Sequence, residues 1–153
     1  MSHSEPTYEA KCCFTDMLTL DESIQGGTVL IFNSDRIYKN DTYLDMPALT
    51  GTRSISLPNF AYHMKRENIT YQNSIASQLQ KNNISRIIFI HYPDESFKDE
   101  LLRNNITKNS RAFVDISKFN RMPTYNYILE KSVFEGNIEL SDNKIATIYN
   151  IQT

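Results

Sequence analysis

The sequence predicts an α/β (or α+β) fold with a small three-layer-like core, and three observations carry that prediction. Two similar stretches, LQKNNISRIIFIHY and LLRNNITKNSRAFVDI, each pass from a helical pattern through Asn-Asn to an apolar run. The run TVLIFNS is apolar without alternation, as in a strand covered on both faces. Residues 133–151 alternate about a Ser-Asp-Asn turn, which indicates a C-terminal antiparallel hairpin.

Length and charge narrow the classes of protein. A chain of 153 residues is expected to form a single domain over 1–153. Its net charge of −2 and pI near 5.9 argue against a nucleic-acid partner, which needs clustered basic surface. No apolar run approaches the roughly 20 residues of a membrane span, and the start lacks the pattern of a signal peptide. We therefore expect a cytoplasmic protein with no membrane association.

The first 60 residues give mixed signals. Residues 1–10 are expected to be a loose N-terminus, and residues 11–25 fit either a short helix or a strand. A buried strand is predicted over 28–34. Residues 36–60 are predicted to be an irregular connection, whose length favours a functional loop over filler and whose apolar residues argue against disorder. Within them, residues 53–57 alternate as an edge strand would.

Residues 70–116 predict two β-α-β-type steps. Thr70 is the expected cap of a helix whose apolar face carries Ile75 and Leu79, and a strand follows over 85–92. A second helix is expected after Pro93, ending at the second Asn-Asn pair, and a second strand over 110–116. Strands joined by a helix pair in parallel, so these strands are expected to lie in one parallel sheet.

The last third predicts a helix and a hairpin. Residues 121–134 are expected to hold a short helix with Pro123 in its first turn. The hairpin turn is expected at 141–143, between the alternating residues Ile138 and Leu140 before it and Ile145 and Ile148 after it.

Polar side chains follow the predicted parallel strands, where open α/β sheets bind ligands. We assign binding roles to the side chains at these strand ends, namely Asp35, Tyr92, Asp94, Glu95 and Asp115. His91, at the end of its strand, is the candidate acid or base, because histidine titrates near neutrality. The alternative is helix capping by Asp94, solvated charge at the other two aspartates, and an ordinary boundary histidine.

Other motifs are weaker. His63 lies beside Lys65 and Arg66 in a segment with nearby aromatic residues, which fits an anion or single-strand site or an ordinary amphipathic surface turn. The adjacent Cys12 and Cys13 have no second Cys or His pair, so we predict neither a metal site nor a cofactor. The sequence has no Gly-rich phosphate loop and no nucleophile elbow.

The resulting functional hypothesis is a small cytosolic protein-binding module. A mildly acidic, tyrosine-rich chain suits a basic partner, and an inhibitor or immunity-type protein that neutralises a toxin nuclease is one such module. The first alternative is a Mg²⁺-dependent phosphoesterase or nucleotide-processing enzyme that uses Asp35, Asp94 and Asp115 with His91. The second alternative is a structural or regulatory component of a phage or mobile element. Oligomeric state is left open.

Overall fold

A mixed β-sheet forms the centre of the protein. The computed structural model describes residues 4–37, 46–112 and 120–152, with side chains for 14–37, 46–105 and 120–152. Within those ranges the five strands take the order β2-β1-β3-β5-β4. β1 pairs in parallel with β2 and β3, whereas β5 is antiparallel to both β3 and β4. The strands are β1 (Thr28–Asn33), β2 (Arg53–Ser56), β3 (Ile84–His91), β4 (Ser132–Glu139) and β5 (Ile145–Ile151).

Helices cover both faces of this sheet. They are α1 (Ser4–Ile24), α2 (Leu57–Arg66), α3 (Gln72–Lys81), α4 (Phe97–Ala112) and α5 (Met122–Lys131). One apolar cluster joins α2, α3, α4 and α5 to one face of the sheet, and a second joins α1 and Met46 to the other. The mixed α/β prediction is therefore confirmed. No helix within the described ranges combines the length and the apolar character that crossing a bilayer requires.

The central strands are buried on both faces, which explains their unbroken apolar sequences. On β1, Leu30 and Phe32 pack towards α2–α5, whereas Val29 and Ile31 pack towards α1. β3 divides in the same way, and its five consecutive residues from Ile87 to His91 are all buried. The strands predicted over 28–34 and 85–92 are confirmed.

The N-terminal segment is helical. Met17, Leu20 and Ile24 face the sheet at spacings of three and four residues, which resolves the ambiguity of residues 11–25 in favour of a helix. α1 begins at Ser4, so the loose terminus expected over 1–10 is not found over residues 4–10. Pro6 is compatible with this start, because N–H groups in the first turn of a helix have no acceptor within the helix. The N–H that proline lacks therefore costs the helix no hydrogen bond.

The irregular connection predicted over 36–60 is shorter than expected. β2 lies at one edge of the sheet, as predicted, but the chain then enters α2 at Leu57. Ser56 caps this helix by accepting a hydrogen bond from the Asn59 N–H, and Pro58 lies in the first turn. The buried face of α2 comprises Leu57, Phe60, Ala61 and Met64.

The N-cap predicted for the next helix is wrong by one residue. α3 begins at Gln72 with Tyr71 at its N-cap, and neither makes the side-chain cap expected of Thr70. The Asn-Asn stop is confirmed, because Asn82 ends α3 and Asn83 adopts a left-handed φ of 57°.

The second Asn-Asn pair does not end a helix, contrary to prediction. α4 runs through it to Ala112, so the strand predicted over 110–116 is wrong for residues 110–112; residues 113–116 lie outside the described ranges. The asparagine side chains are buried and hold the neighbouring segment instead. Asn104 Oδ1 accepts from the Tyr125 hydroxyl at 2.7 Å, and Asn105 Oδ1 accepts from the Arg121 N–H at 2.7 Å.

The helix and hairpin predicted for the last third are confirmed. α5 has Pro123 in its first turn, and β4 and β5 pair through the turn at 141–143. Asp142 and Asn143 take φ values of 55° and 64°, as in the primed turns of tight hairpins.

Two buried aspartates of α1 fix this helix to the sheet. Asp16 forms a 2.8 Å ion pair with Lys144 and accepts from the N–H and hydroxyl of Ser141, at the hairpin turn. Asp21 accepts from the N–H of Leu49 and from the hydroxyl of Thr50, in the connection that leads to β2. Burial acts to raise the pKa of Asp21, but the hydrogen bonds from Thr50 and Leu49 lower it below its ordinary value.

We expect Asp16→Ala to lower the free energy of unfolding by about 3–5 kcal/mol, because it leaves the buried Lys144 ammonium without its carboxylate. Urea denaturation measures this change. Glu22→Ala removes an exposed carboxylate of the same helix and should stay within about 0.5 kcal/mol of the parent chain. Equal losses in the two variants would mean that Asp16 does not anchor α1.

Candidate binding edge at the carboxyl ends of the parallel strands

The candidate site lies at the carboxyl ends of β1 and β3. From β1 the chain continues to β2 on one side, and β3 adjoins β1 on the other, so the crevice between β1 and β3 is the topological switch point of the parallel part. Open α/β sheets bind ligands at this position. Ser34, the first residue after β1, donates its N–H to the Ile90 carbonyl at 2.8 Å and so holds the two strand ends together.

Glu95 organises the turn that follows β3. Its side chain is only 4% exposed, and the carboxylate accepts from the Ser34 hydroxyl at 2.5 Å and from the Tyr92 N–H at 2.7 Å. The Glu95 N–H in turn donates to the Tyr92 carbonyl at 3.1 Å. This carboxylate therefore fastens residues 92–95 to the end of β1.

Arg36, Tyr92 and Asp94 form the outer layer of the edge. Arg36 Nη1 lies 2.9 Å from both carboxylate oxygens of Asp94 and 3.8 Å from Glu95. Its guanidinium sits 4.8 Å above the ring of Tyr92, within the range of a cation–π contact. The hydrogen bond to Asp94 raises the pKa of Arg36 above its ordinary value. Arg36 is 52% exposed and Asp94 71% exposed, so this layer is open to a partner.

Glu100 lies behind this layer, in the first turn of α4. It is buried, its carboxylate lies 3.1 Å from Arg103 Nη1, and it accepts a hydrogen bond from the Asp35 N–H. Burial raises the pKa of Glu100; Arg103 opposes that shift, and the charges of Glu95 and Asp35 add to it. The carboxyl ends of the parallel strands thus carry both exposed and buried carboxyl groups.

His91 has both ring nitrogens engaged. Nδ1 lies 2.7 Å from the Tyr92 carbonyl and Nε2 lies 2.6 Å from the Thr147 hydroxyl, which itself donates to Asn137 at 2.8 Å. The imidazole is buried and stacks on Phe89 with ring centroids 4.2 Å apart. A role as acid or base would require one of these hydrogen bonds to open first.

The structure brings most of the predicted binding residues together. Tyr92, Asp94 and Glu95 form one turn beside Asp35, whereas Asp115 lies outside the described residues. Asp94 does not cap α4, because the Ser96 hydroxyl accepts from the Asp99 N–H instead. In the described ranges, no group of three or more His, Cys, Asp or Glu side chains is arranged to hold a metal ion.

Sequence reasoning missed Ser34, Arg36 and Glu100. A signal for the first two was present, since Ser34 and Arg36 flank Asp35 directly after a buried strand. Glu100 carried no such signal, because its burial depends on how α4 packs.

Comparison with known protein families, curated proteins and solved structures found no match to this chain, so its function is inferred from the residues themselves.

Replacing Glu95 by alanine should lower the free energy of unfolding by about 2–4 kcal/mol, because the Ser34 hydroxyl and the Tyr92 N–H lose their buried acceptor. Asp94→Ala, one residue away, removes an exposed ion pair and should cost at most about 1 kcal/mol. Denaturant titration of both variants measures the difference. If Asp94 proves the costlier position, Glu95 does not organise the turn.

Replacing Glu100 by glutamine should change how stability depends on pH. A buried acid with a raised pKa keeps its proton after the unfolded chain has lost its own, so the parent chain loses stability as pH rises above about 4.3, the usual glutamate pKa. Glu100→Gln lacks that loss, so its stability relative to the parent should increase from pH 4 to pH 7. Denaturation across this range measures it, and a pH-independent difference would contradict the assignment.

Proposed function

We propose that the chain is a protein-binding module that recognises a basic partner protein through its carboxyl edge, defined here as Asp35, Arg36, Tyr92 and Asp94. The observation that carries the proposal is the Glu95 network, which holds Tyr92 and Asp94 in a fixed, accessible arrangement. Side chains ordered before binding lose less conformational entropy when a partner arrives, so more of the contact energy appears as affinity.

The residue types of the carboxyl edge are those that anchor protein interfaces. Tyrosine and arginine are enriched among the residues that contribute most to binding. Here they stack on each other, and Asp94 accepts hydrogen bonds from Arg36 Nη1. A partner can contact these side chains in the arrangement that they already hold.

The charge around the edge favours a basic partner. Residues 92–100 contain four carboxylates, at 94, 95, 99 and 100, and one lysine. Complementary charge accelerates association and fixes the register of the two proteins. A nuclease suits this surface, because the groove with which it holds phosphates is basic. Within the proposal, the specific form is therefore an inhibitor or immunity-type protein that covers the active site of a toxin nuclease.

The enzymatic alternative gains less support. A Mg²⁺-dependent phosphoesterase would use Asp35, Asp94 and His91, but Asp94 is paired with Arg36 and both ring nitrogens of His91 are hydrogen-bonded. Asp115, the third expected carboxylate, lies outside the described residues. The geometry of the described residues favours binding over catalysis.

The test is affinity capture from the chain's own cells at low ionic strength, with the parent chain and three variants as baits. The parent should retain a basic protein, and Asp94→Lys and Tyr92→Ala should each lose it, with binding weakened at least about tenfold in a purified pair. Glu22→Lys, in the last turn of α1 at the amino ends of the strands, makes the same charge change on an exposed carboxylate away from the edge and should retain the partner.

The salt dependence of the purified pair completes the test. Screening shortens the reach of charge from about 10 Å at 0.1 M to about 3 Å at 1 M, so affinity should fall as salt is added. Capture that survives Asp94→Lys and Tyr92→Ala, or a partner that is acidic, would overturn the proposed function.

A further inference from the structure

A second surface lies at the amino ends of the parallel strands, opposite the carboxyl edge. It is a groove of two adjoining cavities with volumes of about 450 Å³ and 340 Å³, and Lys81 and Asn82 line both. Each volume falls within the roughly 300–1,000 Å³ of small-molecule sites. We call the two cavities together the amino-end groove.

The first cavity is polar and positively charged. Arg53 from β2 and Lys81 from the end of α3 line it together with Asn83, and none of the described residues that line it carries a carboxylate. The turns at Gly27 and Gly51 complete its wall, with left-handed φ values of 78° and 87°. Glycine is suited to this conformation, and its lack of a side chain leaves the backbone accessible to a ligand.

Among the described residues, its two cations have no carboxylate partner, unlike two arginines at the other end of the sheet. Arg36 and Arg103, at the other end of the sheet, each contact a carboxylate within 3.1 Å. Neither Arg53 nor Lys81 forms an ion pair with any side chain in the described part of the chain. Compensation of the α3 dipole accounts for a lysine at the helix end, but it does not account for Arg53, which lies on a strand. Two cations without a neighbouring carboxylate are suited to bind an anionic group.

The second cavity has a different character. Ile55, Phe60 and Met64 form an apolar floor, and His63 and Gln78 stand at its rim. Arg66 Nη2 lies 3.1 Å from His63 Nδ1, so Nδ1 is the acceptor and the proton of the neutral ring sits on Nε2. The floor suits a flat apolar ring, and the rim supplies hydrogen-bonding groups for its edge.

We propose that the amino-end groove binds a free mononucleotide, with phosphates against Arg53 and Lys81 and the base on the floor of Ile55, Phe60 and Met64. Arginine and lysine are the usual phosphate-binding side chains. The two cavities adjoin at Lys81, which places the charged and the flat halves of the ligand side by side. Binding of an acidic peptide would account for the cations but not for the apolar floor beside them. This inference is independent of the proposed function at the carboxyl edge.

Calorimetric titration of the full chain with ATP, AMP and inorganic phosphate tests the proposal. We expect ATP to bind more tightly than AMP, and AMP more tightly than phosphate, because both cavities contribute. The double variant Arg53→Gln/Lys81→Gln should weaken ATP binding at least about tenfold, since it removes two charge-assisted contacts. Lys98→Gln, an exposed lysine of α4 at the other end of the sheet, is the matched control and should bind as the parent does.

Three results would overturn the proposal. The first is no binding heat with ATP at millimolar concentration. The second is equal affinity for phosphate and ATP. The third is ATP binding that Lys98→Gln weakens as much as the double variant does. A single-stranded oligonucleotide serves as a further arm, and binding of the strand without binding of ATP would also overturn it. Arg53 and Lys81 are exposed, so thermal unfolding of the double variant should match that of the parent and confirm that the fold is intact.

Discussion

The burial of β1 and β3 on both faces is the constraint on which the rest of the structure depends. An apolar strand with no polar face needs an apolar layer on each side, so one layer of helices is not enough. Four helices share one face, but α1 is the only helix of the described ranges in the cluster on the other face. Buried aspartates hold α1 there by bonding to the hairpin turn and to the connection before β2. The ion pair and hydrogen bonds of α1 therefore hold in place the helix that covers the second face of the sheet.

Helix direction accounts for some of the charges at the two ends of the sheet. Helices that return from the carboxyl ends of parallel strands point their N-termini to one end of the sheet and their C-termini to the other. α4 carries Asp99 and Glu100 in its first turn, whereas the charged side chains in the last turns of α2 and α3 are basic. Each choice compensates the helix dipole. Helix direction therefore accounts for Glu100 and Lys81, whereas Asp94 lies in a turn and Arg53 on a strand, so these two add to the charge of their ends independently of it.

Sequence patterns predicted the structural elements that depend on residues close together along the chain. The central strands, the hairpin turn and the proline-started α5 are local, and each was found where expected. The start of α2 is also a local signal, because Ser56, Pro58 and the spacing of the apolar residues are typical of a helix, although our prediction did not include one there. The length of α4 could not be predicted in this way, since Asn104 and Asn105 use their side chains to bind Tyr125 and Arg121, which are distant in the sequence. At the carboxyl edge, chain order indicated Tyr92, Asp94 and Glu95, but the burial of Glu95 is a property of the assembled sheet.

The carboxyl edge and the amino-end groove lie at opposite ends of the central strand β3. β3 has eight residues and spans about 26 Å, which is longer than the Debye length of about 8 Å at physiological ionic strength. A charged ligand at one end of the sheet is therefore screened from the charges at the other end. The carboxyl edge and the amino-end groove thus attract their ligands separately, each through its own side chains.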